Sequence, residues 1–195
     1  MSERATLPLT PSQTVGPYFS MRLSRARQNV VVGPELGGDR VRIEGAVFDG
    51  DGKPVEDALI ELWQADARGH YPHPADPQPA PASFTGFGRA ATEHATGAYW
   101  FETIRPGRVA AEGSVPQAPH VSLIVHARGL LRALHTRMYF ADDDALLPDD
   151  PVLRAVPAAR RGTLVARPRV SNTGARIYQF DIRLQGAGET VFFAF

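Results

Sequence analysis

From Arg40 onward the chain repeats a pattern that few folds accommodate: short runs of alternating apolar and polar residues, cut at short intervals by Gly, Pro or Asp. The clearest run covers residues 177–185. Tyr178, Phe180, Ile182 and Leu184 fall on one side and Gln179, Asp181, Arg183 and Gln185 on the other, because successive strand side chains point to opposite faces. Val41, Ile43, Gly45 and Val47 alternate in the same way with Arg42 and Glu44, and Asp49-Gly-Asp-Gly52 then supplies a turn that tolerates positive φ. Further strands are expected at 58–64, 88–92, 99–104, 120–127, 134–140 and 163–166. Helix is scarce, with a short one expected at 151–156, capped by Asp150 with Pro151 at its first position. Such a set of short strands predicts an all-β fold, an antiparallel β-sandwich. Residues 1–38 hold neither period and read as an N-terminal arm that packs on a partner subunit, ahead of a sandwich domain at 39–195.

Composition narrows the function. The formal net charge is zero and the pI about 7.0, so the chain lacks the basic footprint that draws proteins to nucleic acid or anionic lipid, and neither is expected as a partner. There is no cysteine, which removes disulfides, thiolate metal sites and a cysteine nucleophile together. No apolar stretch is long enough to span a bilayer, and residues 1–13 carry no apolar run of the signal-peptide kind, so a cytoplasmic location is expected. Lys53 is the only lysine; coding bias explains that most simply, although arginine also favours planar recognition of carboxylates.

Most local motifs dissolve on inspection. Asp49 to Lys53 imitates the start of a calcium loop, but the twelfth position, where a bidentate Glu belongs, is Ile60. Gly86-Phe-Gly-Arg89 lacks the third glycine of a dinucleotide fingerprint and reads as a strand bend. Asp142, Asp143, Asp144, Asp149 and Asp150 read as solvated loop charge rather than a cation site. The long Pro- and Ala-rich loop at 71–84 is the kind that serves a site or an interface. Among the histidines, His120 and His126 share one strand face with Ser122 and Ile124, too far apart at about 3.3 Å per residue to hold one ion unaided.

Several segments, taken in chain order, resemble the intradiol ring-cleaving dioxygenases. They are Thr10-Pro-Ser-Gln-Thr-Val-Gly-Pro-Tyr-Phe19, Gly45-Ala-Val-Phe-Asp49, the stretch from Pro54 through Trp63 to Asp66, Gly88-Arg-Ala90, Ile104-Arg-Pro-Gly107, Ala118-Pro-His120 and Met138-Tyr-Phe140. The likeness extends to the C-terminal Gly188-Glu-Thr-Val-Phe-Phe-Ala-Phe195, so it covers nearly the whole chain. Catalytic members of that family hold non-haem Fe(III) with two Tyr and two His, the latter as H-x-H, with an Arg three residues before the first His. Phenolate suits a ferric ion because both are hard, and the ferric centre draws density from a bound catecholate so that O2 can attack.

By that resemblance the first His position here is His120, the second is Ser122 and the Arg position is Gln117. No Tyr lies in 106–119 or in 76–83, where the family's two Tyr ligands are expected. The resemblance therefore implies a chain with no catalytic or metal-ligating residue of its own. It further implies a non-catalytic subunit paired with a homologous iron-binding β subunit in a hetero-oligomer, where a small aromatic acid and O2 meet at a shared site. Residues implied to reach that substrate are Thr14, Gly16 and Pro17 in the arm and Arg137 on a strand. Two other readings stay open: a self-sufficient divergent metal enzyme using His120, His126 or His135 with carboxylates, and a transthyretin-like binding module suggested by residues 45–63.

Overall fold

The computed structural model describes residues 9–16, 18–111, 115–171 and 175–194. Nine strands follow in chain order: β1 Arg40–Phe48, β2 Leu59–Gln64, β3 Phe87–Ala91, β4 Ala98–Ile104, β5 His120–His126, β6 Leu134–Phe140, β7 Val165–Val170, β8 Arg176–Gln179 and β9 Ile182–Arg183. Two short helices, α1 Tyr18–Leu23 and α2 Pro151–Ala155, and a few 3-10 turns complete the described elements. The pairing order is β3-β2-β5-β6-β7-β8-β1-β4, with β9 continuing along β1. Both halves of that path bury one face in a shared core. Ile43 and Val47 of β1, Phe101 of β4, Leu62 of β2, Leu123 of β5 and Phe140 of β6 meet there, almost wholly buried. This is the expected sandwich, and burial alternates along β1 as the sequence pattern requires.

The antiparallel expectation holds for the pairs β1–β4, β2–β3, β2–β5, β5–β6 and β7–β8. Parallel pairs occur where a strand returns over a long connection: β6–β7, β1–β8 and β1–β9. β7 is the strand that changes layer. Its first residues pair with β6 at Tyr139 and Phe140, and Arg167 to Val170 then pair with β8 alone. That single-sided stretch tolerates Pro168, which has no N–H to give a second neighbour.

Two expected strands shift for physical reasons. The one placed at 163–166 starts later, because residues 158–164 form 3-10 turns held by side chains: Arg161 donates to the Val156 and Arg154 carbonyls, and Thr163 to that of Arg160. The run at 177–185 breaks at Phe180. Its amide still donates to the Glu44 carbonyl, but its own carbonyl turns aside to accept the Tyr99 hydroxyl at 2.7 Å. The Asp181 carboxylate takes the vacated place and accepts from the Ala46 amide at 3.1 Å. Gly45 permits the detour, since a Cβ there would lie 1.8 Å from the Phe180 oxygen.

The arm was expected to be irregular, yet it contains α1, with Ser20 buried and the Phe19 ring 5.1 Å from His126. Part of it packs at home: Val31 and Val32 join the core, and Val30 bridges to Glu102. Tyr18 and Met21 stay largely exposed. The expected helix forms at Pro151–Ala155 with the Asp150 side chain accepting from the Leu153 amide at 2.8 Å.

Candidate functional site

Alternation on β2, β5 and β6 sends one set of side chains to the core and the other to the outer face of the sheet. On that face lie Glu61 and Trp63 from β2, His120, Ser122 and Ile124 from β5, and Arg137 and Tyr139 from β6. The β5–β6 register sets Ser122 directly against Arg137 and His120 against Tyr139. A cleft of about 260 Å³ opens here, with Trp63, Phe87, Ile124 and Phe193 among its apolar walls and Glu61, Ser122, His135 and Arg137 among its polar ones. Trp63 also borders a second cleft of about 520 Å³, on the side of the long loop, lined by Tyr71, His73, Pro77 and Val109.

His120, 1% exposed, lies beneath Tyr71 of the larger cleft. Its Nδ1–H donates to the Ala118 carbonyl at 2.8 Å, which leaves Nε2 to accept from the Tyr71 hydroxyl at 3.4 Å. Burial, and secondly the Arg137 charge, push its pKa down to about 4, so the ring is neutral. The phenols beside it are held protonated. Burial raises Tyr71, and burial followed by the Asp150 charge raises Tyr139, whose hydroxyl donates to Asp150 at 2.9 Å. Trp63 and Tyr71 stack at 5.7 Å with planes 13° apart, which fixes the start of the long loop. Asp76 ties the loop back: its carboxylate accepts from the Tyr71 and Gln78 amides and from the His70 ring, and the two amides hold its pKa low.

These residues do not suit a ferric ion. Where the resemblance places a second imidazole the chain has the hydroxyl of Ser122, and the Tyr139 phenol is already engaged with Asp150. A guanidinium shares the space, and a fixed cation repels another. Among the described residues no three His, Asp or Glu side chains gather as a metal set. The two segments expected to carry family tyrosines do come together, since Asp76 and Pro77 from one and Val109 and Ala110 from the other line the larger cleft. The two segments thus meet at one cleft, and neither carries a Tyr.

Arg137 reaches toward Gln117, donating from Nη1 to Oε1 at 2.6 Å. Thr14 is elsewhere. Its hydroxyl accepts from the Gly129 amide at 2.8 Å, at the turn beyond His126, so the arm lies against the β5–β6 hairpin tip. Gly16, exposed, follows it, and Pro17 lies outside the described residues. Within one chain the structure does not gather Thr14 and Arg137 into a single cluster. His120, His126 and His135 do not converge either: six residues along β5 separate the first two by about 20 Å, and His135 pairs across from Ile124. The roles of Tyr71, Tyr139 and Asp150 around His120 escaped sequence reasoning, because strand register brings Tyr139 there and the folding of the long loop and of the α2 cap brings the other two. Gln117 was visible only as a departure from the family pattern.

The sequence model of a family described as Dioxygenase matches residues 14–186. The protocatechuate 3,4-dioxygenase alpha chain of Burkholderia cepacia is 42% identical over 96% of this chain and 98% of its own length, and that of Pseudomonas putida 40% over 97% and 98%. The chain belongs to the intradiol dioxygenase family. Within it, the beta chain of the B. cepacia enzyme is also a relative, 38% identical over 84% of this chain and 72% of its own length. The fold agrees with an intradiol ring-cleavage dioxygenase from Tetranychus urticae, with a TM-score of 0.62 at 18% identity over 93% of this chain and 98% of that one. Family membership excludes the separate binding-module reading. The turn at Asp49 is settled as well: its Oδ1 accepts from the Asp51 and Lys53 amides. The acidic cluster is more structural than expected. Asp150 is buried, and Asp142 and Asp143 pair with Arg105.

Proposed function

We propose that this chain is the non-catalytic α subunit of a protocatechuate 3,4-dioxygenase and completes the substrate pocket of a homologous β subunit that carries the non-haem Fe(III). The reaction opens the ring of protocatechuate between its two hydroxyl-bearing carbons, adds both atoms of O2 and gives 3-carboxy-cis,cis-muconate. A cytoplasmic location belongs to the same reading. The observation that carries it is that the segments 76–83 and 106–119, where the resemblance expects tyrosine ligands, meet at one cleft and bear none, while Ser122 stands at the expected second His position, paired across from Arg137.

In this reading the oxidative chemistry is the partner's, and this chain contributes recognition. Arg137 offers a permanent positive charge to the substrate carboxylate. Thr14 offers a hydroxyl, Gly16 lets backbone approach the ligand, and Pro17 fixes the arm. Because Thr14 and Arg137 stand apart within the chain, the shared pocket requires the second subunit between them. The partly apolar outer face with Trp63, Ile124 and Phe193 supplies a surface for that subunit.

Iron content, visible absorption and O2 uptake on protocatechuate test this, measured on the chain alone and on the chain co-expressed with its β partner. The lone chain is expected to be colourless, iron-free and inactive, and the pair to be coloured and active. Stoichiometric iron with turnover in the lone chain would overturn the proposal.

A further inference from the structure

Arg137, half-buried on the outer face of the sheet, is held by an uncharged partner. It donates to the neutral amide oxygen of Gln117 at 2.6 Å and also interacts with the uncharged Tyr139 hydroxyl. That choice matters for a group meant to receive a carboxylate. A glutamate at position 117 would orient the guanidinium equally well but would cancel its charge, whereas an amide oxygen fixes the direction and leaves the charge for the ligand. An arginine has five N–H donors, so its bonds to Gln117 and Tyr139 leave others to face an incoming anion.

Gln117 is mounted rigidly enough to act in this way. Its backbone forms a two-way bridge with Val109, at 3.2 and 2.9 Å. The next amide, Ala118, donates to the Asp150 carboxylate at 2.8 Å. Asp150 is wholly buried and also receives the Tyr139 hydroxyl and the Leu153 amide. The side-chain oxygen of Gln117 is therefore tied through two residues to the cap of α2. On the other side of Arg137, Ser122 is too short to fill the space that an imidazole would take, so the guanidinium has room to settle and needs a guide.

We propose that Gln117 is a positioning residue: it aims Arg137 at the carboxylate of the aromatic substrate while leaving the guanidinium charge uncompensated. This rests on the function proposed above for Arg137. It assigns to position 117, where catalytic family members carry arginine, an uncharged supporting role.

The test uses the co-expressed complex and two substrates, protocatechuate and a catechol that lacks the carboxylate. Gln117→Met keeps the side-chain length and removes the amide acceptor. The expected result is a KM for protocatechuate raised about threefold to tenfold, kcat within about twofold, and no change with the carboxylate-free catechol. In an Arg137→Ala background the same substitution is expected to add nothing further, as coupled residues require. If Arg137→Ala raises KM but Gln117→Met does not, the positioning role falls and the function proposed for Arg137 stands. If Gln117→Met harms both substrates equally, the residue is merely structural and the inference fails. If Arg137→Ala leaves KM unchanged, the carboxylate reading of Arg137 fails and takes this inference with it. Should the Met variant not assemble, Gln117→Asn, which keeps the amide but withdraws it by one methylene, is measured in the same way and judged by the same outcomes.

Discussion

His120 is the histidine whose charge state the fold controls most tightly. Burial beneath Tyr71 and Tyr139, together with the neighbouring Arg137 charge, lowers its pKa to about 4 from an ordinary value of 6.5, with Asp150 and the Ala118 carbonyl opposing that shift only in part. Its folded pKa lies below the unfolded one, so between those values the unfolded chain binds more protons and stability rises with pH. The contribution is complete above about pH 6.5 and is lost as pH falls toward 4. A shift of this size corresponds to about 3 kcal/mol. Urea unfolding at pH 7 and pH 4.5 is expected to show a smaller pH difference for His120→Gln than for the wild type. An unchanged difference would mean that the ring is not kept neutral by the fold.

At the scale of elements, two short features carry more than their length implies. Asp150 begins as a helix cap legible in the sequence, and in the fold it also anchors the segment that bears Gln117 and takes the Tyr139 hydroxyl. Asp150→Ala leaves three donors without their acceptor, so it is expected to cost about 3 kcal/mol by chemical denaturation. A cost near that of a simple cap, about 1 kcal/mol, would show that the other two bonds are dispensable. Gly45 is the second feature, because the break between β8 and β9 brings the Phe180 carbonyl over it. Gly45→Ala is expected to destabilise by at least about 2 kcal/mol, and a thermal midpoint within a degree or two of the wild type would contradict this. The alternation at 177–185 could not reveal that break, since it depends on Tyr99 and Asp181 supplying polar groups from outside the local pattern.

For the whole molecule, the informative surface is the outer face of the sheet formed by β3, β2, β5 and β6. The inner face is filled by the core, yet the outer one still presents Trp63, Phe87, Ile124 and Phe193 around a cleft. An apolar face of this kind, on a chain whose family includes separate alpha and beta chains, is best explained by a homologous partner lying against it. Ile124→Asp changes only that face and is expected to weaken association with the co-expressed β subunit at least about tenfold, one buried charge being enough, while leaving the circular dichroism of the chain unchanged. Sedimentation of the two purified chains reads this directly, and undiminished pairing would move the interface elsewhere.

Much of this was fixed by local chemistry. Period-two alternation placed the strands on β1, β2, β4, β5 and β6, the Asp-Gly turn and the Asp150 cap followed from side-chain reach, and the substitutions at Gln117 and Ser122 marked the altered site. These features depend on neighbours a few residues apart or on identity at a single position. Tertiary structure alone decided that β7 changes layer, that β8 and β9 part company and that Arg137 stands against Ser122 and donates to Gln117. Each of those depends on register between distant strands, where one residue of slip would turn every side chain to the opposite face.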